Sequence, residues 1–208
     1  MKTVAQQTAE QMRCPSGFSG LMAARLMKKY NAAAETWTVD QLQVGTADHV
    51  LEIGFGPGCG LEKALSRTDT GIVEGIDTSS QMMKMASRSN KAALASGRLR
   101  LYQGDAASLP FEDATFDKVF AVNVYYFWKD PDKPLSEIHR DLREGGQIAI
   151  YLVEKADLLK MKQARTNVFR VLDDDEVVRH LHAKGFTGCI VSKRNEGQRT
   201  GVCILARR

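Results

Sequence analysis

Residues 50–60 read Val-Leu-Glu-Ile-Gly-Phe-Gly-Pro-Gly-Cys-Gly, an apolar run that passes straight into a turn with four alternating glycines. Glycine at such positions admits positive φ and lets a ligand approach where a Cβ would clash. The helix that follows offers unpaired N–H groups at its start. This is a turn built for a nucleotide-bearing ligand. Asp77 closes the next apolar run, Gly71–Asp77, 19 positions beyond Gly58. A carboxylate there can accept from both hydroxyls of a ribose, and acids about 20 residues on do this in dinucleotide folds as well. Asp105, in Gly104-Asp105-Ala106, closes a third run and can accept from an adenine amino group. Glu52 is a carboxylate inside an apolar run, where an unpaired charge is costly. It is expected to meet the backbone of the turn or, through water, an amino group of the ligand.

The glycine spacing separates two nucleotide classes. The dinucleotide fingerprint places glycines first, third and sixth. Counted from Gly54, the sixth position is Cys59, so Gly54-x-Gly56-x-Gly58 remains, a pattern that suits S-adenosylmethionine. The motifs then follow in order: Glu52–Gly58, Gly75-Ile76-Asp77-Thr78-Ser79, Gly104-Asp105-Ala106, Phe116-Asp117-Lys118-Val119-Phe120 and Leu142-Arg143-Glu144-Gly145-Gly146-Gln147. Together they resemble the class I S-adenosylmethionine-dependent methyltransferases, in the small-molecule branch that includes the ubiquinone and menaquinone C-methyltransferases. The resemblance spans Val50 to Glu154. It implies cofactor contacts from Glu52, Gly54, Phe55, Gly56, Gly58, Asp77, Thr78, Asp105, Ala106, Asn123 and Val124.

The segment Asn123-Val124-Tyr125-Tyr126-Phe127-Trp128 follows the fourth strand, an edge that in the resembling family lies beneath the transferable methyl. Four consecutive aromatics cannot all be core where the chain leaves the sheet, so some should line the mouth of the site. Aromatic faces attract a sulfonium by about 0.5–2 kcal/mol. If the acceptor must lose a proton, Tyr125, Tyr126 and Glu154 are the candidate bases, because their expected positions face the pocket. Arg13-Cys14-Pro15-Ser16-Gly17-Phe18, rich in turn formers, is expected to hinge a lid over the cofactor.

These residues need a sheet to hold them. Apolar runs at about His49–Gly54, Ile72–Asp77, Arg98–Gly104, Lys118–Asn123 and Gln147–Glu154 read as strands, with helices near Gly60–Ser66, Ser80–Ala95 and Pro134–Leu142. A further helix from Asp173 to Lys184 starts in four acids, which complement its dipole rather than hold a metal. Thr187–Lys193 and Gly201–Leu205 read as a closing hairpin. The expected fold is α/β: a Rossmann-like seven-stranded methyltransferase sheet, parallel with an antiparallel last strand, with helices on both faces. Residues 1–46 form an N-terminal helical appendix with one helix inside Ala5–Met12, another from about Leu21 to Tyr30 and a short one near Val39–Leu42. Residues 47–154 form the cofactor-binding core and residues 155–208 the C-terminal helices and hairpin.

Composition fits one globular domain of 208 residues, 43% hydrophobic and 26% charged. The excess of 29 Lys and Arg over 25 Asp and Glu forms no basic stripe, which argues against nucleic acid. The N-terminus has no apolar leader and no run reaches the roughly 20 residues of a membrane span, so a cytoplasmic protein without stable membrane insertion is expected. Cys14, Cys59, Cys189 and Cys203 lack metal or redox spacing and read as free thiols. The four histidines are dispersed and read as structural or exposed. Met82, Met83 and Met85 read as core filler, one of them within reach of an adenine. The expected partner is a small-molecule methyl acceptor. Alternatives are an NAD(P)-dependent oxidoreductase, which lacks its sixth-position glycine here, and a non-catalytic S-adenosylmethionine-binding protein.

Overall fold

The computed structural model describes residues 2–208. Seven strands form one sheet: β1 Val50–Ile53, β2 Val73–Asp77, β3 Leu99–Gln103, β4 Phe116–Val122, β5 Leu142–Val153, β6 Thr187–Asn195 and β7 Thr200–Arg207. Their order is β3-β2-β1-β4-β5-β7-β6. β1 pairs in parallel with β2 and β4, and β2 with β3 and β4 with β5 in the same sense. β7 inserts antiparallel between β5 and β6. This is the expected seven-stranded methyltransferase sheet with its antiparallel last strand. The chain order reverses between β1 and β4, which places a ligand crevice beyond their carboxyl ends.

β1 and β2 are buried at every position, the pattern of strands covered on both faces. β3, at the edge, alternates toward solvent. Helices α3 (Cys59–Leu65), α4 (Ser80–Ser89), α5 (Lys91–Ala95) and α6 (Asp132–Asp141) make the crossovers. The expected helix over Ser80–Ala95 breaks at Asn90, whose side chain donates back to the Ala86 carbonyl at 3.0 Å, a local bond that competes with the helical ladder. Beyond β5 come a single turn, α7 (Lys155–Leu158), and α8 (Asp174–Ala183). Asp173 and Glu176 close a full capping box at the start of α8, so the acid run serves the helix as expected. Among the described residues no group of His, Cys, Asp and Glu is placed to hold a metal ion.

The N-terminal appendix differs from expectation. After α1 (Val4–Arg13), one unbroken helix, α2, runs from Gly17 to Leu42. The segment expected to separate two helices is Asn31-Ala32-Ala33-Ala34-Glu35, and alanine is the strongest helix former. With no Gly or Pro to stop it, the helix continues across the sheet. Its second half is anchored: Ala34, Glu35, Thr38, Val39 and Leu42 are buried, and the Arg194 guanidinium sits 4.5 Å over the Trp37 ring. Its first half presents Phe18, Met22, Leu26 and Tyr30 to solvent at spacings of four, one stripe of the helix surface.

Candidate active site

The turn after β1 takes left-handed backbone at Gly54 (φ 70°), Gly56 (φ 52°) and Gly58 (φ 94°), which explains the alternation. A Cβ on Gly54 would stand 2.5 Å from Val124 Cγ2, so the turn and the end of β4 touch only because the side chain is absent. Around Gly56 a Cβ would meet nothing within 4 Å, leaving its outer face open to a ligand. Gly60 is required for a different reason: a Cβ there would lie 2.2 Å from Glu52 Oε1. The Glu52 carboxylate therefore occupies the space at the start of α3, where the Leu61 N–H donates to it. Glu52 thus meets backbone of α3 at Leu61, just beyond the glycine turn.

Asp77 ends β2 with each carboxylate oxygen engaged once. Oδ2 accepts from the Gly56 N–H at 2.9 Å and Oδ1 from the Ser79 N–H at 2.8 Å. The first bond ties the β2 end to the glycine turn, the second holds the start of α4, and Asp77 itself lines the cavity. Burial pushes the Asp77 carboxyl up, opposed by the same two N–H groups. Asp105 accepts from the Ala107 N–H at 2.9 Å and stands exposed at the next strand end. Thr78, Gly104, Ala106 and Met82 complete this side of the crevice.

Between the strand ends, the N-terminal helices and the segment after β5 lies a cavity of about 1550 Å³. It takes in Glu52, Gly54, Phe55, Gly56, Asp77, Thr78, Asp105, Ala106, Asn123 and Val124. Of the expected cofactor residues only Gly58 stands back, as the N-cap of α3. Asn123 holds positive φ of 57° at the end of β4 and donates from Nδ2 to Asn31 Oδ1 on α2 at 3.1 Å. Pro15 anchors the loop between α1 and α2 beside the β2 end, its carbonyl accepting from Ser79 Oγ at 2.6 Å.

The aromatic segment divides. Tyr126, Phe127 and Trp128 line the cavity, whereas Tyr125 does not. Tyr125 points the other way, its hydroxyl 2.7 Å from His180 Nδ1 on α8, and burial raises its phenol above the usual range. That geometry removes Tyr125 as a base for a ligand in the crevice. Glu154 is removed as well: it lies outside the cavity wall, paired with Lys193 at 2.9 Å. Tyr126 is present but committed. Its hydroxyl donates to Asn123 Oδ1 and accepts from the Val153 N–H at 2.8 Å, and burial raises its phenol. It ties β4 to β5 rather than offering a free oxygen.

Among the cavity residues that were not foreseen, one is a buried acid. Glu35 of α2 is 4% exposed, lines the cavity, and leaves Oε2 without a partner, as Glu52 does. Burial, reinforced by Glu62, pushes its carboxyl up to about 7. Burial and the charges of Glu35 and Asp77 raise Glu52 well above the usual carboxylate range. The readable signal was the spacing Glu35-Thr38-Val39-Leu42, which puts the acid on the helix face that packs inward.

Among proteins of known family, the model described as a methyltransferase domain matches residues 51–150. The methyltransferase YdaC of Bacillus subtilis is 31% identical over 188 residues, spanning 90% of this chain and 98% of that protein. The 27-O-demethylrifamycin SV methyltransferase of Amycolatopsis mediterranei is 28% identical, over 69% of this chain and 56% of that protein. A chain of the complex between the Haloferax volcanii Trm112 methyltransferase activator and a methyltransferase superposes with a TM-score of 0.79 at 17% identity, covering 97% of this chain and 95% of that one. A sheet of this order, a glycine turn held by the acid that ends β2 and near-full-length likeness to a methyltransferase agree, and the chain belongs to the S-adenosylmethionine-dependent methyltransferases.

Proposed function

We propose that this chain transfers a methyl group from S-adenosylmethionine to a small apolar or aromatic acceptor by direct displacement. The observation that carries the cofactor reading is the buried carboxylate of Glu52 at the start of α3. In a dinucleotide fold that position receives a pyrophosphate. Here a pyrophosphate would press an already disfavoured buried carboxyl further from ionising, while a ligand bearing positive charge favours that carboxyl's charged form. The open face of Gly56 and the carboxylate of Asp77 fit the ribose of such a ligand. When bound, S-adenosylmethionine supplies a methyl on a sulfonium; the acceptor's lone pair takes the methyl carbon and the C–S electron pair stays on sulfur as a neutral thioether.

The protein's own part is positioning, worth about 7–11 kcal/mol when reacting atoms are held in near-attack geometry. Asp77 would hold the ribose, Asp105 the adenine edge, and Asn123 with Val124 the region beneath the methyl. Tyr126 acts as a positioning residue by fixing Asn123. Lid closure would come from α1 and the first half of α2, held beside the site by Pro15 and Asn31.

The cavity exceeds the roughly 300–1,000 Å³ of a single small-ligand site, which leaves room for an acceptor beside the cofactor. Its lining away from the strand ends includes the apolar Met12, Met27, Phe127, Leu158, Met161 and Phe169 beside polar groups such as Gln163, Glu196 and Arg199. Those apolar side chains favour an apolar or aromatic acceptor, the kind suggested by the quinone branch of the resemblance and by the rifamycin-derivative methyltransferase among the relatives. Among the described residues no helix is long and apolar enough to cross a membrane. We take the compartment to be the cytoplasm.

Isothermal titration with S-adenosylmethionine, S-adenosylhomocysteine and NAD tests this reading. The first two should bind and NAD should not. Asp77→Asn, which keeps the size but loses one anionic acceptor, should weaken both by at least about tenfold, the worth of a hydrogen bond to a charged group. Binding of NAD, or an unchanged Asp77→Asn affinity, would refute it.

A further inference from the structure

Two carboxylates face one end of the cavity from different elements. Glu52 comes from the sheet, and Glu35 comes from α2, which belongs to the N-terminal appendix. Both are at least nine-tenths buried, at 2% and 4% exposure, and each leaves one carboxylate oxygen with no partner. Buried carboxylates are paired or coordinated in folded proteins, because an isolated one is among the costliest groups to bury. Two of them within electrostatic reach of each other are relieved by a proton or by a cation that reaches both. The charges facing Glu35 are Lys28 on its own helix, Glu62 and Lys63 with the Cys59 thiol on α3, and Glu52 on β1; Asp77 on β2 acts on Glu52. Lys28 and Lys63 are exposed and form no ion pair with Glu35, and among the described residues no cation pairs with either acid.

Resting on the cofactor reading above, we propose that Glu35 is the counter-ion of the α-ammonium group in the cofactor's amino-acid tail, received jointly with Glu52. The location agrees. Both acids act on the start of α3, and Asp77 and Asp105 stand at the ends of the successive strands β2 and β3, where ribose and adenine would sit. An ammonium has three donors, enough to reach both unpartnered oxygens. Because one acid rides on the buried half of α2 and the other on β1, capture of the tail would also tie these two elements together through the ligand.

The charge state gives a second readout. With Glu35 pushed up to about 7, the empty site holds a proton on it at pH 6.5, and an arriving ammonium drives that proton off. Cofactor binding should therefore release protons near neutrality and tighten as pH rises from 6 to 8.

The experiment compares wild type with Glu35→Gln, using S-adenosylhomocysteine, which carries the tail, and 5′-methylthioadenosine, which lacks it. Glu35→Gln should weaken S-adenosylhomocysteine by about 10–100-fold and leave 5′-methylthioadenosine within about threefold. Titration of the wild type at pH 6.5 in two buffers of different ionisation enthalpy should show proton release, reduced in Glu35→Gln. This second arm needs no variant that must fold. Equal loss for both ligands, no loss for either, or no proton release by the wild type would overturn the proposal. Failure of the wild type to bind S-adenosylhomocysteine would instead bring down the cofactor reading on which it rests.

Discussion

Gly54→Ala tests the contact that joins the glycine turn to the end of β4. Two costs are separable. Left-handed backbone at φ 70° costs a residue with a Cβ about 1–2 kcal/mol. The new methyl also stands 2.5 Å from Val124 Cγ2 and 3.1 Å from its Cγ1, an overpacking of about 1–3 kcal/mol. The sum, about 2–5 kcal/mol, corresponds to a fall in Tm of about 4–20 °C for a chain of this length. Val124→Ala removes both offending methyls and by itself should cost about 1 kcal/mol from a half-buried position. In the double variant the clash disappears and only the backbone strain remains, so the two substitutions should couple favourably by about 1–3 kcal/mol. Urea unfolding of the ligand-free protein measures all four corners of the cycle. Strict additivity within about 0.5 kcal/mol would mean that Val124 does not fill the space above Gly54, and the account of why the turn needs glycine there would be wrong.

Two further outcomes follow from the buried polar groups. Tyr125→Phe should lower stability by about 1 kcal/mol through loss of its bond to His180 while leaving kcat within about threefold; a loss of a hundredfold or more in a methyl-transfer assay would restore Tyr125 as a base. The ligand-free protein should lose stability as pH rises through the window from 4.5 to about 7, because the folded state holds the Glu35 proton more tightly than the unfolded chain. A raised acid contributes its stability below the unfolded value and forfeits it above the folded one, here about 3 kcal/mol in total. Thermal melts from pH 5 to 8 should show the decline, and Glu35→Gln should remove its Glu35 share while leaving that of Asp141, which burial also pushes up to about 7; identical slopes would refute the assignment.

The strands and the glycine turn were legible because their signals are local: apolar runs of strand length, glycines at alternate positions, and acids at the ends of the runs. Asp77 and Asp105 come to one crevice simply because parallel strands share a carboxyl end. The aromatic segment was legible only in part. Tyr125 and Tyr126 are neighbours of the same type, and the 3₁₀ turn over Tyr125–Phe127 decides which of them faces the cavity. Glu154 follows β5 but swings to Lys193 on β6, a pairing set by the closing hairpin and absent from local sequence. The length of α2 was hidden by reading a change of composition as a boundary, where the alanines simply continue the helix. Glu35 went unseen for a related reason: a glutamate in a helix usually faces water, and its burial comes from α2 lying over α3 and the β1 turn.

β7 lies between β5 and β6 although it is made after both. On the ribosome, β5 is complete once Val153 has been added, while its partner begins only at Thr200. At about 5–20 residues per second this leaves one edge of β5 bare for about 2–10 s. That edge belongs to Ile148-Ala149-Ile150-Tyr151-Leu152-Val153, an uncharged and strongly β-forming hexamer of the kind that pairs between nascent chains. The longer the polar hairpin takes to deliver β7, the longer this edge stays open, so a pause or truncation in the turn at residues 196–199 would be felt as aggregation through β5, the strand whose end Val153 lines the cavity.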